Sequence, residues 1–197
     1  MAEAAAPAHE DVRYEVAEHV ATITIDREHV QNTISGPMLD AVTELMLKAD
    51  RDPEVRCIML TGTGRFFCAG LDLRSGRIGG SDAGASTNLD LRSTPPTVMH
   101  HLDTPTIAAL NGSAAGYGMD MALGCDIRIM SEDAKLAAAF TARGIVPESG
   151  GTWILPRLIG WSKAAELIFT GRTLKAPECL ELGLVSHVVP ATEVAKK

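Results

Sequence analysis

The sequence predicts an α/β fold built from βαβ units, and three observations carry the prediction. Short β-rich apolar runs recur along the chain. Segments of helical periodicity separate them. Several runs end directly in glycine-rich turns, as in "LTGTGRFFCAG" and "ALNGSAAG". Folds of this class place their ligands at such strand ends.

Taken in order, "HVATITID" (residues 19–26) alternates apolar and polar side chains, the signature of a strand. Residues 35–53, "SGPMLDAVTELMLKADRDP", read as a helix. Ser35 stands where a cap belongs, Pro37 suits the first turn, and Met38, Val42, Leu45, Met46 and Ala49 share one face. "VRCIMLTG" is a second strand ending at Gly62, and "TGRFFCAGLDL" after it reads as a glycine-punctuated turn. From Ser75 to Pro96 the chain is rich in Gly, Ser, Asp and Thr without periodicity. That predicts a mobile surface loop or lid rather than a linker, since strands resume beyond it. "TPTIAALNG" is a third strand, "GYGMDMALGC" the helix after it, "DIRIM" a fourth strand and "KLAAAF" a short further one. "SKAAELIFTG" and "KAPECLELG" read as helices that stop at Gly171 and Gly183, and "LVSHVVP" is a last extended piece.

Composition narrows the function. A chain of 197 residues with 46% apolar and 22% charged residues suits one domain with a real core. A net charge of −7 without a basic stripe argues against nucleic acid as a partner. Cys57, Cys68, Cys125 and Cys179 lie far apart in apolar contexts without a CxxC pair. They read as buried free thiols in a reducing, cytoplasmic setting rather than a zinc or redox site. The opening "MAEAAAPAHEDVRYE" carries early acids and no apolar core, unlike a secretory signal. No run reaches the about 18 apolar residues of a membrane span.

Several motifs fail on inspection. "GYGMD" lacks the third glycine of a dinucleotide fingerprint, Met121 standing in its place, and no P-loop is present. The adjacent His100 and His101 point to different sides of a helix and lack a metal-spaced acid, so no metal is expected. Neither Ser113 in "NGSAAG" nor Ser149 in "VPESGG" sits in a G-x-S-x-G elbow.

Two small-residue turns remain, "FFCAGLDL" and "NGSAAGYGMD", each following a strand and feeding a segment of helical character. Small residues let a ligand approach the backbone, and the first N–H groups of a helix point out of its start. Two such groups aimed at one oxygen make an oxyanion hole. Taken singly, each turn reads as tight strand–helix packing; the two together favour the ligand reading.

Residues 66–73 ("FFCAGLDL"), 111–129 ("NGSAAGYGMDMALGCDIRI") and 144–160 ("GIVPESGGTWILPRLIG"), continued by "AAELIFTGRTLKAPECLELGLVSHVVP", are similar to the crotonase family, the enoyl-CoA hydratases and isomerases. The resemblance implies a crotonase-like fold of repeated ββα units, shared with the ClpP proteases. It implies a core domain over residues 14–190 and a flexible N-terminus over 1–13. Residues 191–197 would begin a C-terminal helical region that is truncated here, since family members usually continue past "SHVVP".

Carried over by position, the resemblance assigns the oxyanion N–H groups to Leu71 and Tyr117, shaped by Ala69, Gly70 and Gly116. It sets Asp72, Leu73 and Arg74 along a coenzyme A channel beside the early turn "TIDREHVQNTIS". Family hydratases use two glutamates. The first aligns with Asp120; the second aligns with Phe140, which lines the substrate pocket but cannot transfer a proton. Glu148 lies where several enoyl-CoA isomerases place an acid, which makes it the expected general base with Asp120 as partner or acid. A carboxylate in a pocket lined by Phe140, Ile145 and Trp153 would have a raised pKa, which suits proton abstraction beside a thioester. The bland readings are a helix-capping Glu148 and a buried Asp120 bonded to backbone.

The resemblance thus implies an enzyme acting on an acyl-CoA thioester, leaning to double-bond isomerisation, with coenzyme A present only as part of the substrate and no other cofactor. A homotrimer or dimer of trimers is implied, without nucleic acid or membrane partners. A true 2-enoyl-CoA hydratase holding water between Asp120 and Glu148 is one alternative; a non-catalytic acyl-CoA-binding or scaffold protein is another. A ClpP-type serine protease would need a serine where Gly116 stands.

Overall fold

The computed structural model describes residues 9–75, 94–147 and 149–196. The expected loop or lid falls largely on residues 76–93, outside the described residues, as do residues 1–8 and Glu148.

The chain opens with a hairpin. Strand β1 (Val12–Ala17) pairs antiparallel with β2 (Val20–Ile25) through a two-residue turn, Glu18 and His19, both at positive φ. β2 shows the alternation read in the sequence, with Ala21, Ile23 and Ile25 wholly buried. β1 escaped that reading because it is an edge strand with little but Val12 buried, and so carries no two-faced pattern. The first strand begins at Val12. Helix α1 (Gly36–Arg51) buries the predicted face. Ser35 occupies the cap position, but its side chain makes no capping bond; its carbonyl accepts the Leu39 N–H instead.

A repeated step follows. β3 (Cys57–Gly62) leads to β4 (Phe66–Cys68), β5 (Thr106–Leu110) to β6 (Ser113–Ala115), and β7 (Ile127–Ser131) to β8 (Lys135–Ala137). In each step the first strand joins one sheet and the second joins another. The larger sheet has the order β1-β2-β3-β5-β7-β10 and is parallel beyond the first hairpin. The smaller has the order β4-β6-β8-β9. Here β10 is His187–Val189 and β9 is Thr173–Lys175, the latter antiparallel to β8. This is the crotonase-like arrangement of ββα units, with α3 (Tyr117–Gly124) completing the second step. The strands β4 and β6 lie inside segments that read as turns, and β9 lies between two segments that read as helices, overlapping the second at Lys175. At three residues each they are too short to build a periodic pattern, and their partners are distant in sequence.

The remaining α-helices among the described residues are α2 (Pro95–Val98), α4 (Gly151–Ile159), α5 (Trp161–Thr170) and α6 (Ala176–Glu181). α5 stops at Gly171, as its glycine predicts. Two polar side chains fix the corners next to the site. Asn111 accepts the Gly62 N–H at 3.0 Å and donates to the Gly64 and Phe66 carbonyls, tying the β5–β6 corner to the β3–β4 corner. Arg128 is buried and donates to the Leu123 and Cys125 carbonyls at the C-terminal end of α3 and to the Leu184 carbonyl. A cation there complements the helix dipole, while burial pulls its pKa below the usual guanidinium value.

Candidate functional site

The first wall of the site is the turn after β4, paired with the turn after β2. The Ala69 N–H donates to the Gln31 carbonyl (3.1 Å), the Ile34 N–H to the Gly70 carbonyl (2.9 Å) and the Asp72 N–H to the Ile34 carbonyl (2.9 Å). The peptide that carries the Gly70 carbonyl also carries the Leu71 N–H. A trans peptide points these groups in opposite directions. With the carbonyl engaged by Ile34, the Leu71 N–H faces away from that partner strand. Gly70 sits at φ +108°, a conformation that disfavours side chains. Asn32, wholly buried and at positive φ, knits the partner turn: it accepts the Arg27 N–H at 2.9 Å and donates to the Thr63 and Phe66 carbonyls.

The second wall begins where β6 enters α3. Gly116, at φ +53°, donates its N–H to the Ala137 carbonyl (2.9 Å), and its own carbonyl accepts the Asp120 N–H (3.1 Å), the bond that opens the helix. The same peptide logic points the Tyr117 N–H out of the helix start. α3 lies hard against β4, since a Cβ on Gly118 would collide with the Cys68 carbonyl. The two turns abut: a Cβ placed on Gly70 would lie 3.1 Å from the Ala115 carbonyl oxygen and 3.9 Å from the Tyr117 nitrogen.

Between them is a cavity of about 290 Å³. Residues 69–74 with Gln31 and Thr33 form one side; residues 115–117 with Ala139, Phe140, Arg143 and Ile145 form the other. The residues that the resemblance assigned to the backbone donors and the channel thus meet at one place: Ala69, Gly70, Leu71, Asp72, Leu73, Arg74, Gly116, Tyr117 and Phe140. The Phe140 ring packs beside Gly116, with Cε1 4.0 Å from the position of a Cβ there. Gln31, Thr33 and Arg143 were not singled out from the sequence. For the first two the only signal was their membership of the turn after β2.

The carboxylates differ from expectation. Asp120 is completely buried and is not among the described residues lining the cavity. It accepts the Ser149 hydroxyl at 2.8 Å, and its carboxylate lies so close to Gly151 that a Cβ there would strike it. It is therefore lodged at the N-terminus of α4, where the helix dipole favours negative charge. Its partner is a side chain 29 residues away rather than the backbone alone, a contact that nothing in the sequence indicates. Asp72 lines the cavity, but its oxygens are engaged: Arg27 Nη1 donates to Oδ2 at 2.7 Å and the Arg74 N–H to Oδ1 at 3.0 Å. The Arg27 hydrogen bond holds its carboxyl below the usual range. Trp153 does not line the cavity among the described residues. It is about half exposed, with His100 edge-on at 5.7 Å and the Arg157 guanidinium 3.9 Å over its ring. Glu148 falls outside the described residues; its neighbours Pro147 and Ser149 are buried.

The thiols are free, and three of the four are buried; Cys57 is only half-buried. Burial pushes Cys68, Cys125 and Cys179 up to about 12, so they stay protonated and act as packing. Among the described residues no group of three His, Cys, Asp or Glu side chains is arranged to hold a metal, and no helix is long and apolar enough to cross a membrane.

Comparison with known proteins agrees with the geometry. The enoyl-CoA hydratase/isomerase family profile matches residues 15–197. A putative enoyl-CoA hydratase/isomerase of Bacillus subtilis is 41% identical over 181 residues, covering 91% of this chain and 69% of that protein. A 1,2-epoxyphenylacetyl-CoA isomerase of Escherichia coli is 37% identical over 177 residues, covering 88% and 68%. The crystal structure of an enoyl-CoA hydratase from Bacillus anthracis superposes with a TM-score of 0.84 at 36% identity, covering 95% of this chain and 73% of that one. Two abutting turns on one cavity, the paired strands that lead into them and this run of relatives lead to one conclusion: the chain belongs to the enoyl-CoA hydratase/isomerase family.

Proposed function

We propose that this chain acts on an acyl-CoA thioester through an enolate held by the Leu71 and Tyr117 N–H groups, and that it moves a double bond rather than adding water. The observation that carries the reading is the convergence of the two turns on one cavity, each peptide aimed by the bond on its own carbonyl. Donors fixed in this way need no reorganisation as charge develops on the thioester oxygen, which is the usual source of such catalysis.

The lean to isomerisation rests on the carboxylates. Hydration by the two-glutamate route requires two acids facing the substrate. Phe140 occupies one of those positions, Asp120 is lodged behind the wall, and Asp72 is engaged by Arg27. Double-bond migration needs one mobile carboxylate that takes a proton from one carbon and returns it to another. Glu148 is assigned that role. Asp120, rather than donating a proton, anchors through Ser149 the turn that follows Glu148. Phe140, Ile145 and Leu73 supply apolar surface for the acyl group, and Arg74 and Gln31 face the coenzyme A end. No metal or redox cofactor enters the scheme. One relative's name as a 1,2-epoxyphenylacetyl-CoA isomerase supports an isomerase assignment.

A cytoplasmic setting is supported by the free thiols, and a homotrimer by Trp161 and Phe169, each about three-quarters exposed on α5. Sedimentation would read the oligomer directly.

The test is a paired assay of 3-enoyl-CoA isomerisation and 2-enoyl-CoA hydration. The expected result is isomerisation above hydration, with Glu148→Gln lowering turnover by at least about 100-fold while acyl-CoA binding persists. Dominant hydration would reverse the assignment. Binding without either turnover, which the Phe140 substitution favours as the second reading, would make the chain an acyl-CoA-binding module. Unchanged turnover in Glu148→Gln removes that residue from the reaction.

A further inference from the structure

We propose that Arg27 is a positioning residue of the oxyanion site, setting the direction of the Leu71 N–H by clamping the two chain segments on either side of it. The inference rests on the reading of Leu71 as an oxyanion donor.

The direction of that N–H is decided by the Gly70–Leu71 peptide, whose carbonyl is held by Ile34. The peptide keeps its orientation only as long as the segment of residues 33–34 and the segment of residues 70–72 stay in register. Backbone bonding between them is sparse, with Leu71 and Ile34 forming a single isolated bridge rather than a ladder. Arg27 spans the gap. Its Nη1 donates to the Thr33 carbonyl (3.2 Å) on one side and to Asp72 Oδ2 (2.7 Å) on the other. Its Nε faces Asp11 Oδ2 at 3.2 Å, which pins the guanidinium to the start of β1. Its own backbone is fixed at both groups by Asn32. Asp72 immediately follows Leu71, and its side chain is only 7% exposed, so little water competes for the bond.

A planar guanidinium with several donors can serve a carbonyl and two carboxylates together; an ammonium on a flexible stem cannot hold that geometry. Arg27 itself is not among the described residues that line the cavity, so it acts through Asp72 and Thr33. Its loss turns the donor rather than removing it, so its signature is weaker polarisation of the bound carbonyl and a lower kcat, with KM nearly kept.

The experiment uses butyryl-CoA labelled with ¹³C at the thioester carbonyl, a saturated acyl-CoA with no double bond to move. Difference infrared spectroscopy reads its C=O stretch on the wild-type protein, Arg27→Met and Arg27→Lys. Kinetics are run in parallel on whichever enoyl-CoA the wild type turns over. The wild type should shift the stretch to lower frequency. Arg27→Met should lose most of that shift and at least about tenfold in kcat, with KM within about threefold. Arg27→Lys should fall between, and it carries the same test if the Met variant does not fold. Variants that keep the full shift and kcat while losing thermal stability overturn the proposal and leave Arg27 a structural ion pair. Absence of any shift in the wild type overturns the oxyanion reading itself, and the role of Arg27 with it.

Discussion

The turn at Gly70 and Leu71 and the turn at Gly116 and Tyr117 line the same cavity, and the proposed function has each offer it a backbone N–H, yet they are held in opposite ways. The first is held by charge. Arg27 grips Asp72 and the Thr33 carbonyl, and Asp11 grips Arg27. The second is held by volume. Gly118 lets α3 lie against the Cys68 carbonyl, Phe140 packs beside Gly116, and the helix geometry does the rest. The difference follows from what flanks each turn. A turn that opens a helix inherits its direction from a rigid element. A turn that leads only into a short 3-10 turn, Leu73–Ser75, has less support and needs a side-chain clamp. The first turn should therefore respond to loss of charge and the second to added bulk.

The sharpest way to break the second turn is Gly118→Val. Its side chain has no room, because the obstacle is a main-chain carbonyl that cannot rotate away. We expect a cost at or above the about 1–3 kcal/mol usual for overpacking, and loss of turnover. Urea unfolding and the isomerisation assay check both. Near wild-type stability would mean that α3 can slide on β4, and that volume does not hold this turn.

The same contrast explains what the sequence revealed. The two turns were legible because their chemistry is local: glycines and small residues beside strand ends, at positions that match a family motif. The helices α1 and α5 were legible from periodicity and their end residues. What stayed hidden was pairing at a distance. Arg27 meets Asp72 across 45 residues, and Asp120 meets Ser149 across 29, with no local pattern to announce either contact. The resemblance set Asp72 along a coenzyme A channel and made Asp120 partner or acid to Glu148. Asp72 does line the cavity, with both its oxygens engaged, and Asp120 is buried against Ser149. Trp153 is likewise absent from the cavity lining among the described residues, and it carries the Arg157 guanidinium over its ring on α4, a contact within one helix.

A middle-sized effect should come from Ser149→Ala, which acts on the support behind the second turn. The change removes a hydroxyl that Asp120 accepts in a dry site and leaves that oxygen poorer by one donor. The expected cost is about 1–3 kcal/mol in denaturant unfolding, with a smaller loss in kcat than Glu148→Gln produces. Ser149→Cys, close in shape but a weaker donor, should recover part of it. If Ser149→Ala is neutral in stability, Asp120 is satisfied by its other surroundings, and its link to the Glu148 turn is not energetic.

The smallest effect is the one that separates charge from volume most cleanly. Asp72 has its pKa lowered in the folded protein, chiefly by the Arg27 hydrogen bond. A group with a lowered folded pKa contributes its stability above the ordinary carboxylate value of about 4, where both folded and unfolded chains hold it ionised. As pH falls below that value the unfolded chain takes up the proton first, and the contribution is lost progressively until the folded pKa has been passed. Asp72→Asn keeps an acceptor for Arg27 but has nothing to titrate. The wild type should therefore be the more stable at neutral pH, and the difference should shrink as pH drops below about 4. Gly118→Val, which breaks only packing, should show a difference from the wild type that does not change over the same pH range. A wild-type advantage over Asp72→Asn that stays constant into acid would mean that the carboxylate acts by shape alone, and the first turn would then be held by volume after all.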